Sequence, residues 1–521
     1  MADERPQYYQ NTLSPLVINA DSLAETLEEL RLAVRYGAEA IQANEGPLDK
    51  WPIGGMFKFM PGIALAFLRL DYQSSVLDDG DVKSLDYRQL ALERIPSDFP
   101  DIPLLPSRLA PAGSLSPIPG VSLRVFSAVA KANWKNGSKP SLFQEDITCL
   151  YEAAQLALKN GPLVPHDGRN MGGDEMLYGR AGLLWVLLNI RAHQFDESTQ
   201  KALEPVYEAI PKLVDVIVDS GRQGSKAFIE KNGAQEAHPL MYAWMEGHYC
   251  FGAVHGITGI LSIILAAKSE ELERHLPEIG ETITALCKMS LASNGHLPMT
   301  LPPFSFGQTS ELVQLCHGSP GILILLAEAL KNKALTEAFW CPEWNQTIYE
   351  ASQRIWEEGL LSKGGSLCHG ITGNAWPWLL LHNAFEYHAE DLEAAKNSYL
   401  HRTQASLQSD DVSEKLTPDF FLSKALTFIL HSRETRPYNS QECTTADKDY
   451  RMPDDPYSLS EGLAGNVCAW AEACAVIQAR LRKMELSKTG FSLEEDLAFK
   501  QAICCELGFP FVGGNGATGL I

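Results

Sequence analysis

The sequence predicts an all-α protein whose helices form two concentric shells, and three observations carry that prediction. A glycine-bearing signature recurs six times along the 521 residues, each time followed at once by a nearly all-apolar segment of helix length. The segments between signatures are amphipathic at helical spacing. A helix apolar on one stripe is a surface layer and one apolar all round is buried, so the alternation describes outer and inner helices. No stretch shows the sustained alternation of a half-buried strand.

In chain order, DSLAETLEELRLAVRYGAEAIQ (21–42) is an outer helix with Asp21 or Ser22 placed to cap it. FKFMPGIALAFLRL (57–70) is the first signature, at Gly62. The proline-rich DFPDIPLLPSRLAPAGSLSPIPG (98–120) reads as an irregular insertion, with room for a helix pair after it around FQEDITCLYEAAQLALKN (143–160). LYGRAGLLWVLLNI (177–190) carries Gly182, and STQKALEPVYEAIPKLVDVIVDS (198–220) is the outer helix after it. Four further signatures are AVHGITGILSIILAA (253–267) at Gly259, LCHGSPGILILLAEAL (315–330) at Gly321, LCHGITGNAWPWLLL (367–381) at Gly373 and SEGLAGNVCAWAEACAVI (460–477) at Gly465. The polar run 406–416 and the segment 434–456 read as surface excursions, and GGNGATG (513–519) as a tail, within one domain over 1–521.

Glycine permits positive φ and close backbone approach, and here it opens each inner helix. If the shells close, those ends converge on one point. Free N–H groups and helix dipoles there favour thiolates and other anions.

Bulk properties narrow the partners. A net charge of −22 argues against nucleic acid and anionic membrane surfaces. The N-terminal MADERPQYYQNTL lacks the apolar core of a signal peptide, and apolar runs such as 182–190 and 259–267 are too short to span a bilayer. Eleven cysteines in such a chain read as reduced thiols, which makes a cytoplasmic location the expectation.

Cys316-His317-Gly318 and Cys368-His369-Gly370 repeat one tripeptide at equivalent points of two signatures. A lone Cys-His pair reads as a buried thiol beside a satisfied core histidine. Duplication inside matching turns shifts the reading to a metal. Two thiolates and one imidazole leave a fourth tetrahedral position open, as in catalytic zinc sites. The spacing does not choose between His317 and His369, and Cys250 is a competing ligand; Cys504 and Cys505 read as incidental thiols.

The segments LMYAWMEGHYCFGAVHGITG, LCHGSPG, LCHGITGNAW and PYSLSEGLAG resemble the lanthionine synthetase C-like proteins, specifically their eukaryotic branch. The resemblance runs from about Gly62 to Phe511, with the insertion 98–120 and the tail as departures that do not touch the motifs. It implies a sevenfold α/α toroid and zinc on Cys316, Cys368 and His369. In bacterial members the zinc activates a peptide cysteine that closes a thioether ring. Eukaryotic members bind glutathione and add it to dehydroalanine or dehydrobutyrine residues of proteins. Leu312 stands where relatives near the bacterial cyclases carry an arginine, which fits the eukaryotic branch.

The resemblance also implies roles. His255 matches the histidine that protonates Cα after thiol addition, a task suited to a group that ionises near neutral pH. Asp174 and Glu175 lie where bacterial cyclases place a catalytic carboxylate, with the register undecided between them. Arg180 in the same turn reads equally as a structural or a substrate contact. Lys363 and Arg451 match positions linked to glutathione, whose two carboxylates need cations in an acidic protein. The expected activity is therefore zinc-dependent glutathione transfer to a dehydroamino-acid-containing protein or peptide. A non-catalytic glutathione-binding scaffold and another zinc α/α-toroid enzyme, such as a prenyltransferase, remain as alternatives.

Overall fold

The computed structural model describes residues 5–47, 54–78, 85–95, 102–113, 116–134, 139–304, 311–404, 412–439 and 448–512. Among them, seven largely buried helices stand in a ring: Met60–Tyr72, Ile118–Trp134, Arg180–Arg191, Ile257–Leu265, Ser319–Leu330, Ile371–Tyr387 and Leu463–Thr489. Each packs on the next and the last on the first, so the ring closes. Amphipathic helices wrap it: Ala20–Asn44 lies on Leu463–Thr489, Gln144–Lys159 on Ile118–Trp134, Ala209–Asn232 on Arg180–Arg191, Pro342–Glu358 on Ser319–Leu330 and Pro418–Ser432 on Ile371–Tyr387. The architecture is an α/α toroid of two concentric layers.

The two layers differ as their sequences require. Every residue of Ser319–Leu330 is buried. Ala20–Asn44 buries one stripe, Leu23, Leu27, Leu30, Val34, Ala38 and Ile41, at spacings of three and four. Its cap differs from the expected Asp21 or Ser22. Asn19 accepts from the Ser22 N–H at 3.0 Å, and Ser22 Oγ accepts from the Asn19 N–H at 3.2 Å. This is a capping box in which Ser22 is the returning partner.

The signature glycines serve close approach rather than positive φ. None of the six has a positive φ. A Cβ on Gly62, Gly182, Gly259, Gly373 or Gly465 would lie 2.0, 2.2, 1.8, 1.8 or 2.1 Å from the carbonyl oxygen six residues earlier. Each turn thus folds its own carbonyl down onto the third residue of its helix, where only glycine fits.

The seventh turn comes from the proline-rich stretch, which is less of an insertion than its composition suggests. Helix Ile118–Trp134 starts inside it, and Gly120 stands third in that helix, as the signature glycines do in theirs, about midway between Gly62 and Gly182. Residues 109–113 are buried, and Met56 N–H and Phe57 N–H donate to the carbonyls of Pro111 and Ala112 at 2.9 and 3.1 Å. Proline near the start of a helix is tolerated because the N–H it lacks has no intrahelical partner there.

Five short strands also form an antiparallel sheet in sequence order: Leu163–His166, Arg169–Gly172, Ala243–Met245, His248–Cys250 and Thr300–Leu301. With two to four residues each, they are too short to show alternation in the sequence. The parts of 406–416 and 434–456 that fall in 406–411 and 440–447, and the tail GGNGATG, lie outside the described residues. No described helix is long and apolar enough to cross a membrane.

Candidate active site

Backbone hydrogen bonds tie the inner-helix turns to one another around the ring. Ala253 N–H donates to Leu315 O (3.2 Å), Cys316 N–H to Cys368 O (3.3 Å), Cys368 N–H to Ser460 O (2.8 Å) and Ser460 N–H to Phe57 O (3.0 Å). Phe57 N–H then reaches Ala112 O (3.1 Å), and Leu109 N–H reaches Tyr178 O (2.8 Å). The gap between the turns at 178 and 253 is bridged by side chains, Glu175 Oε2 against His255 Nδ1. Residues hundreds of positions apart therefore become neighbours on one rim.

The ligand atoms of Cys316, Cys368 and His369 all lie within 4.8 Å of one another. Donors at zinc bond lengths of roughly 2.0–2.3 Å stand at most about 3.8 Å apart on a tetrahedral ion, so the trio has at most about 1 Å to close. The donor set, two soft sulfurs and one imidazole, suits zinc. A hydrogen bond from Cys368 holds Cys316 well below the usual thiol range, with His369 assisting, and Cys316 in turn pushes Cys368 up. Gln314 Nε2 also donates to Cys316 Sγ at 3.2 Å. His317, the other candidate, turns toward Cys250, Nδ1 to Sγ 3.7 Å. Burial pushes the Cys250 thiol up to about 12 and depresses His317.

Cys316 and Cys368 open into a cleft of about 230 Å³, whose wall also includes His255, His317, Tyr178, Lys58 and Glu461. His255 is held on two sides. Its ring stacks on Trp244 with centroids 4.6 Å apart and planes at 20°, and its Nδ1 meets Glu175. Trp244 stands on the strand Ala243–Met245, so the small sheet backs the His255 ring. Ala112 and Gly113, from the proline-rich stretch, line the cleft as well. That stretch does touch the motifs.

The adjacent carboxylates part company. Glu175, 1% exposed, faces His255 through Oε2 and accepts the Tyr178 N–H through Oε1 at 2.6 Å. Asp174 points the other way, accepting from Arg180 Nε at 2.7 Å and Ser220 Oγ at 2.6 Å. Burial raises its pKa against the pull of Arg180. Arg180 also donates to the carbonyls of Asn160 (3.0 Å) and Gly161 (3.2 Å). This buried pair braces the turn and does not line the cleft.

Lys363 and Arg451 lie on neighbouring stretches, joined by Arg451 N–H to Ser362 O at 2.9 Å. The Lys363 charge is felt at His317 and Cys368, and no ion-pair partner is seen for it among the described residues. Arg451 Nη2 meets Asp454 at 3.0 Å. Neither cation lines the cleft itself.

Lys58 and Glu461 escaped the sequence reading. Lys58 Nζ sits 2.8 Å from Glu461 Oε1 and 3.4 Å from Asp455. Burial works against the Lys58 ammonium, but those carboxylates outweigh it and hold its pKa above the usual lysine value. The signal that finds them is positional. The residue four before the signature glycine is Lys58, Tyr178, His255, His317, His369 and Glu461 in the six turns, and five of these line the cleft.

Residues 60–415 match the lanthionine synthetase C-like protein family. The chain belongs to that family. A LanC-like relative from Danio rerio, glutathione S-transferase LANCL1, is 27% identical over 346 residues, 66% of this chain and 68% of the relative. The LanC-like protein GCL1 of Arabidopsis thaliana is 25% identical over 329 residues, and the match spans 62% of this chain and 60% of that protein. The solved structure of nisin cyclase aligns over 89% of this chain and 99% of its own at 13% identity and a TM-score of 0.32, too loose a likeness to carry residue correspondences.

Proposed function

We propose that this LanC-like chain holds zinc on Cys316, Cys368 and His369 and adds glutathione to dehydroalanine or dehydrobutyrine residues of proteins or peptides. The observation that carries the reading is the convergence of two thiols and an imidazole within 4.8 Å on the rim that also holds the His255–Glu175 pair. The relative bearing the name glutathione S-transferase supports glutathione as the thiol.

Zinc on these ligands supplies a lowered pKa for an incoming thiol, which is then a thiolate at neutral pH. The chain's own residues do the rest. Addition joins sulfur to Cβ and moves the π pair of the double bond to Cα, which must take up a proton. His255 carries that proton, because Glu175 engages Nδ1 and leaves Nε2 for the substrate. The buried Glu175 carboxylate stabilises the imidazolium and fixes the ring, and Trp244 limits its rotation. Lys363 and Arg451 hold the glutathione carboxylates at the edge of the site.

The test is mass spectrometry of a dehydroalanine-containing peptide incubated with protein, zinc and glutathione. The expected product is heavier by one glutathione, and Cys316→Ala loses both bound zinc and product. Full activity from a zinc-free protein sinks the proposal.

A further inference from the structure

The toroid has a second end, remote from the signature turns. Inner helices Ser319–Leu330 and Ile371–Tyr387 run roughly 18 and 25 Å from the cleft to that end, at 1.5 Å per residue. There the C-terminal ends of Ile257–Leu265, Ser319–Leu330 and Ile371–Tyr387 join Leu463–Thr489 and the helix Leu497–Cys504 around a cavity of about 1430 Å³. No residue is shared between its lining and that of the cleft.

Its wall is acidic, with eight carboxyl side chains against four lysines. Three of the lysines are engaged: Lys331 with Glu328 at 3.0 Å, Lys483 with Glu386 at 2.8 Å, and Lys333 with Asp391 at 3.8 Å. Lys500 is exposed. Glu472 is satisfied by the Leu507 and Gly508 N–H groups at 3.0 and 2.8 Å and by Gln73 Nε2 at 3.0 Å.

Glu506 is not satisfied. It is 4% exposed, its Oε2 takes the Asn383 amide, and its Oε1 has no partner among the described residues. Tyr387, close enough for the Glu506 charge to be felt at its phenol, has a buried hydroxyl without a partner among the described residues, and the Asn383 carbonyl oxygen likewise has none. All three residues line the cavity. Buried polar atoms are almost always paired, so three orphans on one wall mark a place where something binds. Burial and the neighbouring Glu472 push the Glu506 carboxyl well up, and the Lys331 charge, already paired with Glu328, offsets this only in part. Three helix C-termini turn their carbonyl ends to the same space and favour a cation. The far end is the electrostatic mirror of the cleft, where helix N-termini favour thiolates.

We propose that this cavity is a binding site for an organic cation, a primary ammonium or guanidinium group whose N–H donors meet Glu506 Oε1, Asn383 Oδ1 and the Tyr387 oxygen. The cation arrives either as a free polyamine or as the side chain of a basic peptide.

Calorimetric titration of the full chain with spermidine, and separately with an end-blocked pentapeptide carrying one central arginine, tests this. Saturable binding of one probe is expected, and which probe binds identifies the source. Glu506→Gln should weaken that binding at least about tenfold, and Tyr387→Phe should weaken it severalfold should the first variant fail to fold. Cys316→Ala, at the opposite end, should leave it unchanged. Absence of saturable binding by both probes overturns the proposal, as does an affinity that neither Glu506→Gln nor Tyr387→Phe moves.

Discussion

Glu175→Gln separates catalysis from folding at the His255 pair. The substitution keeps size and shape at a residue that is 1% exposed. The glutamine carbonyl can still accept the Tyr178 N–H, now met by Glu175 Oε1 at 2.6 Å, so the turn stays capped. That choice turns the amide NH2 toward His255 Nδ1. A donor there forces Nδ1 to be an acceptor, and the imidazolium loses its countercharge. A hydrogen bond to a buried charged group contributes about 1.5–3 kcal/mol, and each 1.36 kcal/mol is tenfold in rate, so kcat should fall about 10- to 150-fold. The glutathione KM should hold steady, because Lys363 and Arg451 are untouched. The assay is the initial rate of adduct formation on a dehydroalanine peptide at saturating zinc, with melting temperature as the folding control. A rate within about twofold of wild type, in a protein that melts normally, would refute the role given to Glu175.

Other outcomes follow from the same geometry. Lys363→Ala and Arg451→Ala should each raise the glutathione KM about tenfold with little change in kcat; unchanged KM values in steady-state kinetics would remove both from the glutathione site. Gly373→Ala places a Cβ 1.8 Å from the Leu367 carbonyl oxygen, an overlap costing about 3 kcal/mol, while Gly46→Ala, with nothing within 4 Å among the described residues, should be neutral in the same thermal melts. Burial holds His238, His382 and His431 down to about 4. Their folded pKa lies below the unfolded value near 6.5, so the stability they hold is complete above that value and drains as pH falls from there toward 4, on the order of 1 kcal/mol per pH unit for each. Melting temperature should therefore drop between pH 6.5 and 4, and His382→Gln should blunt the drop; a pH-independent melt over that window contradicts this.

Much of the fold was readable because its cause is local. A helix that will be buried must be apolar all round, and a turn that folds its own carbonyl onto the next helix must carry glycine, so both leave marks in the sequence. The Cys316 and Cys368 turns were readable for the same reason, since duplication at matching repeat positions is itself a pattern. The seventh turn was hidden because Gly120 follows a run of prolines, and composition there outweighed position. The five short strands were hidden by their length.

What the tertiary structure alone decided concerns direction. Asp174 and Glu175 are adjacent carboxylates of equal promise, yet one is drawn into the buried Arg180–Ser220 pocket and the other faces His255. Lys58 and Glu461, some four hundred residues apart, become an ion pair only because the ring closes and brings the first and last turns together. The sequence by itself determines which residues occupy the position four before each signature glycine. Which of them meet is set by the order of helices around the closed ring and by the side on which each turn's hydrogen bonds leave a side chain free.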